Sequence, residues 1–190
     1  MTRVLAAPDP PLADGPARLR ALEDRDVSAF ARALEDDAVQ SRAYSGAMAP
    51  EEDVVQAYVD GFRDKAEGGE GILLTIASAD DDEMAGLGML FAIKERNLDA
   101  EIGFWLGPWA RGRGIGTSGV RLLCRWAFAQ VGLDRVHANT SYDNEPTRAL
   151  LERAGFSLDG TLRGAELTEA GERRDMVTYC MLSSDEGAPR

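Results

Sequence analysis

The sequence has few of the side chains that build metal centres or disulfide frameworks. Its 190 residues include two cysteines, Cys124 and Cys180, and one histidine, His137. That set cannot supply the four Cys/His ligands of a structural zinc site. Two cysteines also make no disulfide framework, which fits a reducing, cytoplasmic compartment. Any imidazole base must be His137. There is no uncharged apolar run of 18 residues, so no membrane-spanning helix is expected. The N-terminus lacks the charged, apolar and cleavage-site order of a secretory signal. Basic charge is scarce: 21 Lys and Arg stand against 33 Asp and Glu, a net charge of −12. A broad binder of nucleic-acid phosphates needs the opposite balance. The expectation is therefore no metal, no nucleic acid and no membrane partner.

What is present suits one globular domain. Residues 1–16, with Pro8, Pro10, Pro11 and Pro16, read as a loose leader, and residues 183–190 as a frayed tail. The domain is expected over 17–182. A strand at Arg18–Leu22 precedes a helix with Val27, Phe30, Ala31 and Leu34 at helical spacing. Pro50 followed by Glu51, Glu52 and Asp53 starts a second helix, which Gly68 and Gly69 end. Three strands are expected at Ile72–Ala77, Ala85–Ile93 and Leu98–Leu106. A helix from Gly114 to Val131, a strand at Val136–Tyr142 and a short helix at Glu145–Arg153 follow. Two last strands are expected at Phe156–Arg163 and Met176–Leu182. A strand meander, a strand–helix–strand unit and late strands predict an α+β, or mixed α/β, sheet.

The informative stretch lies in the middle. From Ile102 to Leu133 there is no acidic residue, yet there are four arginines: Arg111, Arg113, Arg121 and Arg125. Within it, Arg111-Gly112-Arg113-Gly114-Ile115-Gly116-Thr117 joins a strand to a helix. Glycines let a bulky anion approach the backbone. Free N–H groups and the positive end of the helix dipole then face it, and arginines add charge-assisted hydrogen bonds. A merely structural glycine turn is the bland alternative. No Walker motif is present. Gly114-Ile-Gly116-Thr-Ser-Gly119 matches G-x-G-x-x-G, with Asp143 closing the next strand, so a dinucleotide-binding domain is an alternative reading.

The same run resembles the acyl-CoA-binding motif of the Gcn5-related N-acetyltransferases, R/Q-x-x-G-x-G/A, in Arg111 to Gly116. Downstream, Asn144-Glu-Pro-Thr147-Arg-Ala-Leu150-Leu-Glu-Arg-Ala-Gly155-Phe156 is similar to that family's N-x-x-S-x-x-L…G-F. The surrounding EIGFWL and GERRDMVTY resemble the RimJ/RimL-like branch. The resemblance covers about residues 17–182.

The resemblance implies a single domain whose mostly antiparallel sheet splays between two parallel strands, with helices on both faces. It implies an N-acetyltransferase using acetyl-CoA as co-substrate, by direct attack of the amine in a ternary complex. The backbone of Phe104, Trp105 and Leu106 would pair with the pantetheine arm, and the N–H near Leu106 would face the developing oxyanion. Arg111, Gly112, Arg113, Gly114, Ile115, Gly116 and Thr117 would hold the pyrophosphate, and Asn144 the pantetheine or a nearby water. The tyrosine acid of many relatives is replaced by Leu151, so Thr147 is the candidate acid; it could equally help cap its helix. Glu166, in the loop between the last strands, is the first candidate base and Glu101 the second. His137 reads as an ordinary strand residue and Cys124 as core. The acceptor is a primary amine, either a small cationic molecule or a protein N-terminus, and the resemblance admits a homodimer. A non-catalytic acyl-CoA-binding module is the alternative of a different class.

Overall fold

The computed structural model describes residues 4–43, 48–168 and 171–189. The chain opens with strands β1 (Leu12–Asp14) and β2 (Ala17–Ala21), followed by helices α1 (Val27–Ala33), α2 (Asp37–Ala43) and α3 (Glu52–Glu67). A meander of β3 (Ile72–Ser78), β4 (Met84–Lys94) and β5 (Asp99–Leu106) comes next. Helix α4 (Ile115–Trp126), prolonged by a π-helical turn over Ala127–Val131, leads to β6 (Arg135–Ser141) and α5 (Glu145–Ala154). The long hairpin of β7 (Ser157–Leu167) and β8 (Arg173–Leu182) ends the fold. All strands belong to one sheet in the order β1-β2-β3-β4-β5-β6-β8-β7.

Both faces of this sheet are covered. Leu74, Ile76, Ala100 and Ile102 pack with Val120, Leu123 and Trp126 of α4. On the other face Leu73, Leu87 and Trp105 pack with Phe30 and Leu34 from the α1 region and Val55 and Val59 of α3. Strand β3 is buried at all seven positions, which is why its sequence is mostly apolar and shows no alternation. Helix α4 rides close to the sheet at Gly119, where a Cβ would lie 2.6 Å from Ile76 Cγ2.

A buried ion pair ties α1 to the sheet. Arg20 on β2 donates from both terminal nitrogens to Asp26, at 2.7 and 2.9 Å. Asp26 also accepts from Thr75 Oγ1 and from the Glu23 N–H. Burial alone would raise the Asp26 pKa, but these donors win and hold it below the ordinary carboxylate value.

All strand pairings are antiparallel except β5 with β6. That parallel register has three pairs, Asp99↔Arg135, Ala100↔Val136 and Glu101↔His137, and then stops. Beyond it β5 stays paired with β4 as far as Leu106, and β6 with β8 as far as Ser141. The sheet therefore forks after Glu101 and His137. The antiparallel meander ahead of α4 is not the repeated βαβ order of a dinucleotide fold, so that alternative falls.

Four other expectations need correction. Part of the leader is structured: residues 12–14 form β1, Leu5 is buried with its N–H on Ala66 O, and Ala6 O accepts Trp126 Nε1–H. A large indole with a donor to satisfy and one leucine are enough to tie it down. The described part of the tail is turned back as well: Asp185 accepts the Leu182 N–H, and Ala188 packs against the core. The sequence reading has no helix at α2, which is seven residues long, with Val39 in the core and a start set by Asp36, whose carboxylate accepts the Val39 N–H. The β7–β8 hairpin runs past its apolar part, so Glu166 lies on β7 opposite Arg174 and not in a loop.

Candidate active site

The fork opens into a cleft of about 530 Å³ that passes from one face of the sheet to the other. The alternation of β5 divides its lining. Glu101, Gly103 and Trp105 point to the α1/α3 face, while Ile102, Phe104 and Leu106 point to the α4 face. On the first side Ala38 and Val39 of α2 and Met89 and Phe91 of β4 complete the wall; on the second, Ala138 and Thr140 of β6 and Pro146, Thr147 and Leu150 of α5 do so. The backbone groups of residues 102–106 that point away from β4 have no strand partner in the register. A ligand with its own amides can complete the sheet there.

The glycine-rich turn stands at the start of α4. Gly112 and Gly114 have φ of 74° and 79°, the left-handed region that glycine adopts without cost. A Cβ at Gly112 would meet nothing within 4 Å, and one at Gly114 only Pro16 Cγ at 3.7 Å. These glycines are thus required by conformation and leave the backbone open on the outside. No side chain caps the helix at Gly114, and its first turn carries no acid. The N–H groups of Ile115, Gly116 and Thr117 precede the first intrahelical bond, Ser118 N–H to Gly114 O. The cradle fits a diphosphate: uncapped donors, a positive dipole end and arginines alongside.

Arg111 bridges the two sides. Its Nε and one terminal nitrogen donate to Leu106 O at 3.2 and 3.1 Å, and the guanidinium holds the Asp36 carboxylate at 2.6 and 3.2 Å. That hydrogen bond keeps the Asp36 carboxyl below its ordinary pKa. Arg113 is more exposed, 4.0 Å from Asp80.

Asn144 and Thr147 sit where the last short helix enters the cleft. Asn144 is the N-cap of α5: its Oδ1 accepts the Thr147 N–H at 3.4 Å, and its Nδ2 donates to Thr140 Oγ1 at 3.0 Å. Both ends of that amide thus serve the protein, which makes Asn144 a residue that fixes the cleft wall. Thr147 lines the cleft, and the cap belongs to Asn144.

The two candidate bases are placed very differently. Glu166 is outside the cleft lining, accepting from Arg174 Nε at 2.8 Å and from Ser141 Oγ at 3.1 Å. Glu101 lies at the crotch of the fork and is the one carboxylate among the described lining residues. Asn139 Nδ2 donates to its Oε1 at 3.0 Å, and Asn139 Oδ1 accepts Thr178 Oγ1–H at 2.6 Å. His137 Nε2 stands 3.7 Å from Glu101 Oε2, and the opposite ring nitrogen is 3.1 Å from Asp99 Oδ1. His137 is therefore part of a polar chain and not an ordinary strand residue. Sequence reasoning passed over Asn139 and Asp99 and set His137 aside as a strand residue. Their shared period of two was a usable signal, but it needed the parallel register of β5 and β6 to acquire meaning. Among the described residues, no group of three or more His, Cys, Asp or Glu side chains could hold a metal ion, and no helix is long and apolar enough to cross a membrane.

This forked sheet, with an uncapped glycine turn at the base of α4, is the architecture of an acyl-transfer family. Residues 17–157, about three quarters of the chain, match the family model described as the acetyltransferase (GNAT) domain, and the chain belongs to that family. Among curated relatives, YdaF of Bacillus subtilis (strain 168), provisionally named a ribosomal N-acetyltransferase, is 34% identical over 105 residues, covering 55% of this chain and 57% of YdaF. Spermidine N(1)-acetyltransferase of Escherichia coli (strain K12) is 27% identical over 102 residues, covering 54% of each chain. The chain thus spans little more than half the length of these curated relatives. Among solved structures, Mycobacterium smegmatis RimJ in complex with CoA-disulfide shares the fold with a TM-score of 0.81 at 23% identity, covering 92% of this chain and 90% of RimJ.

Proposed function

We propose that this chain is an acetyl-CoA-dependent N-acetyltransferase whose acceptor is a primary amine, attacking directly in a ternary complex. The observation that carries the reading is the fork itself: a carboxylate on one side of the sheet and an open strand edge leading to an uncapped helix N-terminus on the other. The family assignment and the CoA-bound RimJ relative support the donor. Acetyl-CoA, when bound, supplies a thioester carbonyl. Residues 111–117 hold the pyrophosphate, the edge of Phe104–Leu106 pairs with the pantetheine amides, and the N–H near Leu106 steadies negative charge on the carbonyl oxygen.

Glu101 is the base in this reading, replacing Glu166 as first choice. Opposite the donor side, Glu101 meets the incoming amine, attracts its cationic form and removes its proton. Thr147 stands on the donor side of the cleft, where its hydroxyl can give a proton to the departing thiolate and take one back from the nitrogen of the new amide. The described acceptor side, with Ala38, Val39, Met89 and Phe91 around one carboxylate, suits an amine with one positive charge and an apolar neck better than a polyamine. A protein N-terminal amine, with a pKa near 8, also needs less help to lose its proton than a lysine-like amine near 10.4.

The test is thiol release from acetyl-CoA across a panel of peptides with free α-amines, small monoamines and spermidine. Glu101→Gln is expected to lower kcat/KM by roughly 10²–10⁴-fold, the scale of general acid–base groups. Glu166→Gln is expected to leave it within about twofold, because the half-exposed pair with Arg174 lies outside the cleft and a glutamine oxygen can still accept from Ser141. The Glu101→Gln deficit should shrink as pH approaches the amine's own pKa, where solvent supplies free amine. No turnover with any amine, despite acetyl-CoA binding, would make the chain a non-catalytic binding module. A large loss in Glu166→Gln alone would return the base to the hairpin.

A further inference from the structure

The polar chain behind Glu101 has no role in that mechanism, yet it lies where the two halves of the sheet last touch. Asp99 and Glu101 on β5 face Arg135 and His137 on β6 in parallel register. Each of these four side chains is at least partly buried. Arg135 donates to Asp99 Oδ1 at 2.8 Å, and His137 Nδ1 is 3.1 Å from the same oxygen. Burial would raise the Asp99 pKa, but the Arg135 and His137 donors hold it below the ordinary value, so Asp99 is an anion. Arg135 Nη1, which can only donate, also lies 3.2 Å from Nδ1, but its shorter bond, 2.8 Å, goes to Asp99; beside that anion the imidazole keeps its Nδ1 proton. Its Nε2 is then left as a lone pair, 3.7 Å from Glu101 Oε2, another acceptor. Two acceptors face each other comfortably only when a proton lies between them.

Resting on the reading of Glu101 as base, we infer that His137, anchored by Asp99, is a positioning residue for Glu101 and receives the proton that Glu101 takes from the amine. The proton balance is simple. An N–H bond of the ammonium breaks and an O–H bond forms on Glu101. As the protonated carboxyl closes on the ring from 3.7 Å to hydrogen-bond distance, that O–H breaks and an N–H forms at His137 Nε2. The imidazolium is held between the Asp99 and Glu101 carboxylates, and its proton leaves to water as product departs. Glu101 is thereby an anion again while the amine attacks, so reprotonation of the amine by the same carboxyl is suppressed. Asn139 holds the other oxygen, Oε1, so Oε2 is the atom that takes the proton and passes it on.

The groups facing His137 are Asp99 and Glu101 on β5, Arg135 on its own strand and the Cys180 thiol opposite it on β8. Lys94, 3.6 Å from Asp99, and Asp159, on the far side of Arg135, complete the charged surroundings. Burial, followed by the charge of Asp159, raises the Cys180 thiol above its usual value, so it stays neutral through the range of imidazole titration.

His137 is the one histidine of the chain, so its ring signals in ¹⁵N-labelled protein need no assignment. The test follows those signals with pH in the wild-type protein, Glu101→Gln and Asp99→Asn, with no acceptor required. The expected result is an Nδ1–H tautomer in the neutral wild-type ring and a titration midpoint that falls clearly in both variants. The second arm is thiol release with acetyl-CoA and the best amine of the panel. His137→Gln, which still donates toward Glu101 but cannot take a proton, should lose about tenfold or more in kcat with KM for acetyl-CoA unchanged. The acid limb of its pH profile should move. Equal midpoints in wild type and Glu101→Gln, or an unaltered pH profile in folded His137→Gln, would overturn the relay. A dead Glu101→Gln beside an unaffected His137→Gln would remove the relay and keep the base. A fully active Glu101→Gln would remove the base itself.

Discussion

Replacing Gly114 by aspartate tests the phosphate cradle through two separable effects. The first is conformational. Gly114 has φ of 79°, and a non-glycine residue there costs about 1–2 kcal/mol. Its Cβ would meet nothing closer than Pro16 Cγ at 3.7 Å, so no clash adds to that cost. The second is charge. A carboxylate within roughly 5 Å of a diphosphate carrying two negative charges is repelled by about 1.7 kcal/mol at the dielectric of water, and more where solvent is partly excluded. An aspartate that did cap the helix would occupy the same N–H groups that the phosphates need. Where the free chain relieves that strain by leaving the left-handed turn, binding has to restore it, so the two terms add: the acetyl-CoA Kd is expected to rise by about 10²–10³-fold in Gly114→Asp, against at most about tenfold in Gly114→Ala, which carries the backbone strain alone. Titration calorimetry measures both, with circular dichroism as the check on folding. Unchanged affinity in folded Gly114→Asp would refute the placement of the anion site. Equal losses in the two variants would show that backbone strain, and not charge, is what matters at this turn.

Other outcomes follow from the same structure. Thr147→Val keeps the shape of the cleft wall and removes a hydroxyl, so turnover should fall about 10²-fold with little change in acetyl-CoA affinity; full turnover, measured where chemistry limits the rate, would leave Thr147 without a chemical role. Asp26→Asn removes the nearest partner of the buried Arg20, leaving Asp82 at 3.4 Å, and should cost roughly 3 kcal/mol in urea denaturation, the low end for a broken buried pair. Because the Asp26 pKa is lowered in the folded chain, its contribution is fully present above the unfolded value near 3.9 and is lost as pH falls through the depressed folded value. Below about pH 4 the Asp26→Asn stability curve should therefore be flatter than that of the wild type; parallel curves would refute the assignment.

The elements with a clear period were legible in the sequence. Helix α4 announced itself through Ile115, Val120, Leu123 and Trp126, and the turn before it through glycines with nothing acidic nearby. The Gly155–Phe156 end of α5 was equally plain, with Gly155 at φ 106° and Phe156 buried. The fork was not, because a register that stops after three pairs leaves no periodic trace. For that reason the sequence favoured Glu166, on resemblance, over Glu101, whose surroundings come from another strand 36 residues away. Helix α2 and the outer end of the last hairpin, past Arg163 and before Met176, were missed for a related cause: they are short or polar, and tertiary contacts, not patterning, define them.

The forked sheet also has a mechanical meaning. Strands β1–β5 and the β6–β8 unit are joined edge to edge along one short seam, and what lies past Glu101 is a slot between two half-sheets. A molecule whose amides pair across that slot acts as a missing strand. It splices the halves, so occupancy and rigidity become one quantity. At a free ligand concentration of 100 Kd the added stability is about 2.7 kcal/mol. In a protein of this kind that gain should concentrate at the seam, as slowed amide exchange along residues 102–106 and 138–141, while β2 and β3, on the far side of the sheet, change little.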